Sequence, residues 1–212
     1  MKVLANDGIS ESGINKLEEY GFSVDLTKVA QEQLVDYINT NSITSLLVRS
    51  ATQVRKDIID NCPSLKIIGR GGVGMDNIDV DYAKSKGLQV INTPAASSKS
   101  VAELVFSHLF SCVRFLHESN RSMPLDGDSK FKDLKKSYAK GTELSGKTLG
   151  IIGFGRIGQE VAKIGIGIGM NVIFFDKFNK EVSLTIDFFD GQSNTFKLSS
   201  TSYENLLKSS DF

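Results

Sequence analysis

One hexapeptide limits the folds open to this chain more than any other stretch: Gly153-Phe154-Gly155-Arg156-Ile157-Gly158. It follows the apolar run Thr148-Leu149-Gly150-Ile151-Ile152 and precedes a helix-like segment from Gln159 to Gly165. A second apolar run, Asn171-Val172-Ile173-Phe174-Phe175, ends on Asp176. Three glycines alone are a weak signal. With both strands, the helix start and the terminal acid in place, the spacing is that of a dinucleotide-binding βαβ unit. Gly153 permits the tight turn out of the strand, Gly155 lets the backbone approach a pyrophosphate, and Gly158 lets the helix pack close to the sheet. Free N–H groups at the helix start, reinforced by the helix dipole, favour phosphate there. Asp176 is placed to accept hydrogen bonds from an adenosine ribose, and its charge opposes a 2′-phosphate, so NAD is favoured over NADP.

The rest of the composition narrows the function classes. Lysine plus arginine number 25, as do aspartate plus glutamate, so no charge excess points to nucleic acid or an anionic membrane. Met1-Lys2-Val3-Leu4 reaches Asn6 and Asp7 too soon for the apolar region of a signal peptide, and no run approaches the roughly 20 apolar residues that span a bilayer. Cys62 and Cys112 have no CxxC spacing and read as reduced thiols of a cytoplasmic protein. No His/Cys/Asp/Glu cluster has metal-ligand spacing, so no metal is expected.

Before the glycine turn, short apolar runs alternate with amphipathic segments. Strands are expected at Lys2–Ala5, Phe22–Leu26, Ser45–Arg49, Leu65–Gly69 and Gln89–Asn92. Helices are expected from Ser10, as N-cap, to Tyr20, and at Gln31–Ile38, Lys56–Asn61 and Asp79–Lys86. Such alternation implies a parallel sheet covered on both faces. Pro94 to Ser98 reads as a hinge, Val101 to about Leu116 as a long apolar helix, and polar Asn120–Gly141 as an exposed connection. Beyond Asp176, Asp190-Gly191 between two β-prone runs signals a hairpin, and Tyr203–Lys208 a short helix. That helix is expected to feed a further parallel strand, so the sequence reads as the N-terminal portion of something longer.

Several stretches together resemble the NAD-dependent D-2-hydroxyacid dehydrogenases over nearly the whole chain. They are Val48-Arg49-Ser50-Ala51-Thr52, Ile68 to Asp79, Asn92-Thr93-Pro94, Ala102-Glu103-Leu104, and Gly141 to Ile151. The resemblance implies an α/β protein of two doubly wound parallel-sheet domains. Residues 1–98 are then a flavodoxin-like substrate domain without the family's closing C-terminal segment, and residues 99–212 the first part of a Rossmann NAD-binding domain. It implies that Arg49, Ser50, Arg70, Gly72, Val73 and Gly74 bind substrate, with backbone N–H groups of the 70–74 loop on its carboxylate and the two arginines on a phosphate. Val73 also lies where the family's loop reaches the nicotinamide end. Arg156 and Ile157 join Gly153, Gly155, Gly158 and Asp176 as cofactor contacts, and Lys140, with Lys135 and Lys136, lies where some members bring basic residues toward the substrate phosphate. The plainer readings are surface salt bridges for the arginines and a solvated face for the lysines.

The implied reaction is oxidation of a small phosphorylated 2-hydroxy acid, D-3-phosphoglycerate first, by a homodimer or higher oligomer joined through the nucleotide domain. Alternatives are another acid, such as glycerate, or a non-catalytic NAD sensor acting as a corepressor. The family's catalytic arginine, glutamate and histidine fall past Phe212, so no catalytic residue is assigned and residues 1–212 alone are expected to be inactive. His108 and His117, nine apart on one expected helix, read as packing or surface residues. The hairpin from Leu184 to Leu198 is longer than the family's usual connection. Gly141 to Thr148 matches the pattern GxxxxGK[ST], but a strand follows it where a phosphate-binding loop needs a helix.

Overall fold

A computed structural model describes all residues, Met1–Phe212, and the chain divides into two compact units, Met1–Ser97 and Ser98–Phe212. In the first, five strands, β1 (Lys2–Ala5), β2 (Ser23–Asp25), β3 (Ser45–Val48), β4 (Ile67–Arg70) and β5 (Gln89–Asn92), pair in parallel in the order β2-β1-β3-β4-β5. Parallel neighbours cannot be joined by tight hairpins, and helices supply the crossovers: α1 (Glu11–Glu19), α2 (Leu34–Thr40), α3 (Lys56–Asn61) and α4 (Val80–Ser85). Leu4, Leu46, Val48 and Ile68 are buried in the central strands and pack with Leu34, Ile38, Ile58 and Ala83 from the helices. The strand order is the flavodoxin-like one, and it reverses direction between β1 and β3.

Local chemistry explains the element ends. The Ser10 hydroxyl accepts from the Gly13 N–H to cap α1, and Gly21, at φ +78°, follows its end. The expected helix over Gln31–Ile38 opens instead as a 3-10 turn, Gln31–Gln33, and runs on as α2. The edge strand β2 is shorter than Phe22–Leu26 and ends at Asp25, whose carboxylate accepts the Thr27 N–H.

The second unit holds α5 (Ser98–Val113), α6 (Leu116–Tyr138), β6 (Thr148–Ile152), α7 (Arg156–Gly167), β7 (Asn171–Phe175), β8 (Glu181–Asp187), β9 (Ser193–Ser199) and α8 (Tyr203–Ser209). β6 and β7 pair in parallel across α7, and Ala102 and Phe106 of α5 join Val161 and Ala162 of α7 in the core. Two elements differ from expectation. The segment Asn120–Gly141 is not a connection but mostly helix, although none of α6 is buried. Pro124 removes one backbone donor. Serine hydroxyls returning to carbonyls (Ser119 to Leu116, Ser122 to Glu118) and an Asp126–Lys130 ion pair of 3.1 Å accompany the helix up to a break at Lys130. The long apolar helix also ends early. Phe115 adopts φ 54°, so His108 lies on α5 and His117 on α6, not on one helix.

The Asp-Gly signal lies in the β8–β9 hairpin loop. The Gly191 N–H donates to the Phe188 carbonyl, Gly191 sits at φ +83°, and Leu184 pairs with Phe196. After α8, Asp211 and Phe212 donate to the Thr148 carbonyl, and Phe212 accepts from the Gly150 N–H along β6. No helix is long and apolar enough to cross a membrane.

Candidate functional site

In the first unit a cleft of about 730 Å³ opens at the carboxyl ends of β1, β3, β4 and β5, lined among others by Asp7, Arg49, Arg70, Gly71, Asn92 and Thr93. This is where an open α/β sheet leaves space beside its switch point. Arg70 is the register partner of Val48, so Arg49 emerges beside it. Neither guanidinium has a carboxylate partner, and the Arg70 Nε is buried without a hydrogen bond. Arg70 folds against its own loop: a Cβ on Gly72 would stand 2.4 Å from the Arg70 Nη1. Glycine at 72 is therefore required for the arginine's position.

The loop after β4 is fastened from outside. Asn92 Nδ2 donates to the Val73 carbonyl at 2.7 Å, and the Thr93 N–H to the Gly72 carbonyl at 3.1 Å. The N–H groups of Val73 and Gly74 have no backbone acceptor, which leaves consecutive donors for an anion. Ser50 is separate from this cleft. It lines a neighbouring depression with Arg55, Asp76 and Asn77, which Arg70 also reaches.

Sequence reasoning assigned no role to the residues that position Arg49. Asp7 Oδ2 accepts the backbone N–H groups of Arg49 (2.6 Å) and Thr52 (3.1 Å), and Oδ1 accepts the Thr52 hydroxyl (2.6 Å). Burial opposes ionisation of Asp7, but the Thr52 hydroxyl and the backbone donors of Arg49, Thr52 and Ala51 outweigh it and hold the carboxyl below its usual range. Buried Asn77 donates to the carbonyls of Arg49 (2.9 Å) and Thr52 (2.7 Å), and buried Asn6 donates to the Thr52 hydroxyl (2.8 Å). The sequence signals were polar Asn6-Asp7 directly after a strand, and the placement of Thr52 and Asn77 within two of the stretches that carry the resemblance.

In the second unit the glycine turn has the geometry its pattern requires. Gly153 sits at φ +91° and donates to the Phe175 carbonyl at 2.8 Å. A Cβ on Gly155 would meet open space, whereas one on Gly158 would lie 2.3 Å from the Gly153 carbonyl oxygen. Arg156 and Ile157 open α7, where first-turn N–H groups lack intrahelical acceptors. Asp176 is 8% exposed; its carboxylate accepts backbone N–H groups from Phe154 (2.6 Å), Phe178 (2.8 Å) and Asn179 (2.7 Å). The donors Asn179, Phe154 and Phe178, in that order, hold its pKa at about 2 against an opposing effect of burial. A carboxylate offers about four acceptor directions, and the backbone donors fill three of them. Lys140 is exposed beyond α6, without a hydrogen bond or ion pair, and His108 and His117 are both exposed.

The chain is 42% identical over 184 residues to the D-3-phosphoglycerate dehydrogenase of Methanocaldococcus jannaschii, covering 86% of this chain and 34% of that protein. It is 44% identical over 167 residues to the hydroxypyruvate reductase of Thermotoga maritima, covering 79% of this chain and 49% of that protein. Its fold matches that of an acyclic imino acid reductase, Bsp5, solved with NADPH and D-Arg, with TM-score 0.73 and 27% identity, over 100% of this chain and 63% of that one. The chain thus spans between a third and a half of the length of these two curated relatives. The sequence profile of the D-isomer specific 2-hydroxyacid dehydrogenase catalytic domain matches residues 3–208, and the chain belongs to that family.

Proposed function

We propose that this chain forms the substrate cleft and the first half of the cofactor site of an NAD-dependent dehydrogenase that oxidises D-3-phosphoglycerate to 3-phosphohydroxypyruvate, the first step of serine biosynthesis. The observation that carries this reading is the pair Arg49 and Arg70, without carboxylate partners, beside a loop whose Val73 and Gly74 N–H groups are free. Two guanidinium groups suit a phosphate dianion, and the loop donors suit a carboxylate. When bound, NAD supplies the hydride acceptor. The residues of this chain bind and orient: the Gly153–Gly158 turn and the start of α7 for the pyrophosphate, and Asp176 for the ribose. The Asp176 charge supports NAD over NADP, although the Bsp5 structure holds NADPH. Lys140, a cytoplasmic location and oligomerisation through the second unit belong to the same proposal.

A second reading is an unphosphorylated acid of the glycerate type, favoured by the likeness to a hydroxypyruvate reductase. Steady-state kinetics on the full-length protein separate the two. Arg49→Ala or Arg70→Ala is expected to raise KM for D-3-phosphoglycerate about ten- to a hundredfold while changing that for D-glycerate much less, since a charge-assisted hydrogen bond contributes about 1.5–3 kcal/mol. Equal losses on both acids would assign the arginines to the carboxylate or the fold. No turnover of either acid, with NAD still bound, would favour an NAD-sensing role.

A further inference from the structure

The peptide units around Phe154 are fixed on every side. The Phe154 ring is fully buried and stacks on Phe174, centroids 3.8 Å apart at 15°. Its N–H donates to Asp176 Oδ2 at 2.6 Å. Its carbonyl accepts from Asn179 Nδ2 at 3.2 Å and from Gln159 Nε2 at 3.1 Å. Oδ1 of the same Asp176 gathers the N–H groups of Phe178 and Asn179. One carboxylate therefore ties the phosphate-facing turn to the loop after β7. Asn179 closes the circuit, held through its backbone by Asp176 and holding the Phe154 carbonyl with its side chain.

We propose that Asp176, with Asn179, is a positioning latch for the glycine turn, so that the ribose and pyrophosphate subsites are set by one carboxylate. This rests on the cofactor reading above and goes beyond it: the carboxylate acts even toward a ligand with no ribose hydroxyl to bind. A free turn would sample many backbone conformations, whereas this one presents the N–H groups of α7 already aligned, which lowers the ordering cost of binding.

The test uses full-length protein and two measurements. Without ligand, hydrogen–deuterium exchange of the peptide covering residues 153–158 is expected to quicken in Asp176→Ala while peptides of the first unit keep their wild-type rates. In fluorescence titrations, Asp176→Ala is expected to weaken NADH about tenfold or more. It is also expected to weaken, by a smaller but clear factor, an NADH analogue whose adenosine ribose lacks both hydroxyls, since only the latch is lost there. Unchanged exchange at 153–158, or undiminished affinity for the analogue, would overturn the latch and leave Asp176 as a reader of ribose alone. Because the exchange arm needs no ligand, it decides the latch even if wild-type protein binds no NADH, a result that would sink the cofactor reading instead. Should Asp176→Ala fail to fold, Asn179→Ala carries the test. It keeps the carboxylate yet is expected to quicken the same peptide and weaken both ligands equally, and no change in either measurement would overturn the proposal.

Discussion

Asn77 has no charge and lines the depression beside the cleft, yet its amide decides where Arg49 stands. It donates to the carbonyls on both sides of the 49–52 turn, while Asp7 takes the turn's N–H groups from the opposite side. Asn77→Ala leaves two carbonyls without that donor and is expected to cost about 1–3 kcal/mol in urea unfolding. It is also expected to raise KM for the phosphorylated acid more than it lowers kcat, because the arginine is displaced and not removed. A loss of stability with unchanged KM would show that the turn keeps its shape without Asn77.

At the scale of elements, α7 shows why one residue type needs three explanations. Gly158 opposes the backbone: a Cβ would lie 2.3 Å from the Gly153 carbonyl oxygen, which cannot rotate away. Gly165 opposes side chains, with Leu149 Cδ2 at 3.2 Å and Val172 Cγ2 at 3.4 Å from the added carbon. Gly167 opposes nothing within 4 Å. Alanine in a helix is favoured over glycine by about 1 kcal/mol. Gly167→Ala is therefore expected to raise the melting temperature and Gly165→Ala to raise it less or not at all. Gly158→Ala is expected to lower it, with a loss of stability typical of overpacking, about 1–3 kcal/mol. Thermal scans of the three variants check the order; equal effects would mean that α7 shifts freely on its strands. Helix α6 offers a parallel case. Gly127 is helical, and an added Cβ would meet only Met123 at an ordinary 3.5 Å. Gly127→Ala is expected to stabilise by up to about 1 kcal/mol.

At the scale of the whole molecule, depressed carboxyls set the response to acid. Asp7 and Asp25 in the first unit and Asp176 in the second all lie below the ordinary value of 3.8, Asp176 at about 2. For a group whose folded pKa is depressed, the unfolded chain takes up the proton first, so protonation favours unfolding. The stability these groups supply is fully present above about pH 5 and fades as pH falls through 3.8 toward 2. The melting temperature is expected to fall across that window, and Asp176→Asn is expected to lose part of that slope while being less stable at pH 6. Parallel melting curves for variant and wild type from pH 6 to 2 would contradict the assignment.

Much of the fold and about half of the site were legible without coordinates, and the division follows range. The sequence by itself determined what neighbours in the chain decide: the strand–helix alternation, the Ser10 cap, the left-handed glycines at 21 and 153, the Asp-Gly hairpin, and the open and crowded roles of Gly155 and Gly158. These rest on backbone sterics and hydrogen bonds a few residues apart. What it misjudged depended on contacts or competition beyond that range. α6 was misread because proline, glycine and polar residues argue for a loop. Only the tertiary structure decided that Asn6, Asp7, Thr52 and Asn77, between 25 and 46 positions apart in their pairings, form one clamp on Arg49. It also decided that Ser50 leaves the main cleft and that three of the acceptor directions of Asp176 are filled from within. A side chain's type announces what it can bind. Which of its lone pairs and protons remain free is known only once distant backbone has been folded against it.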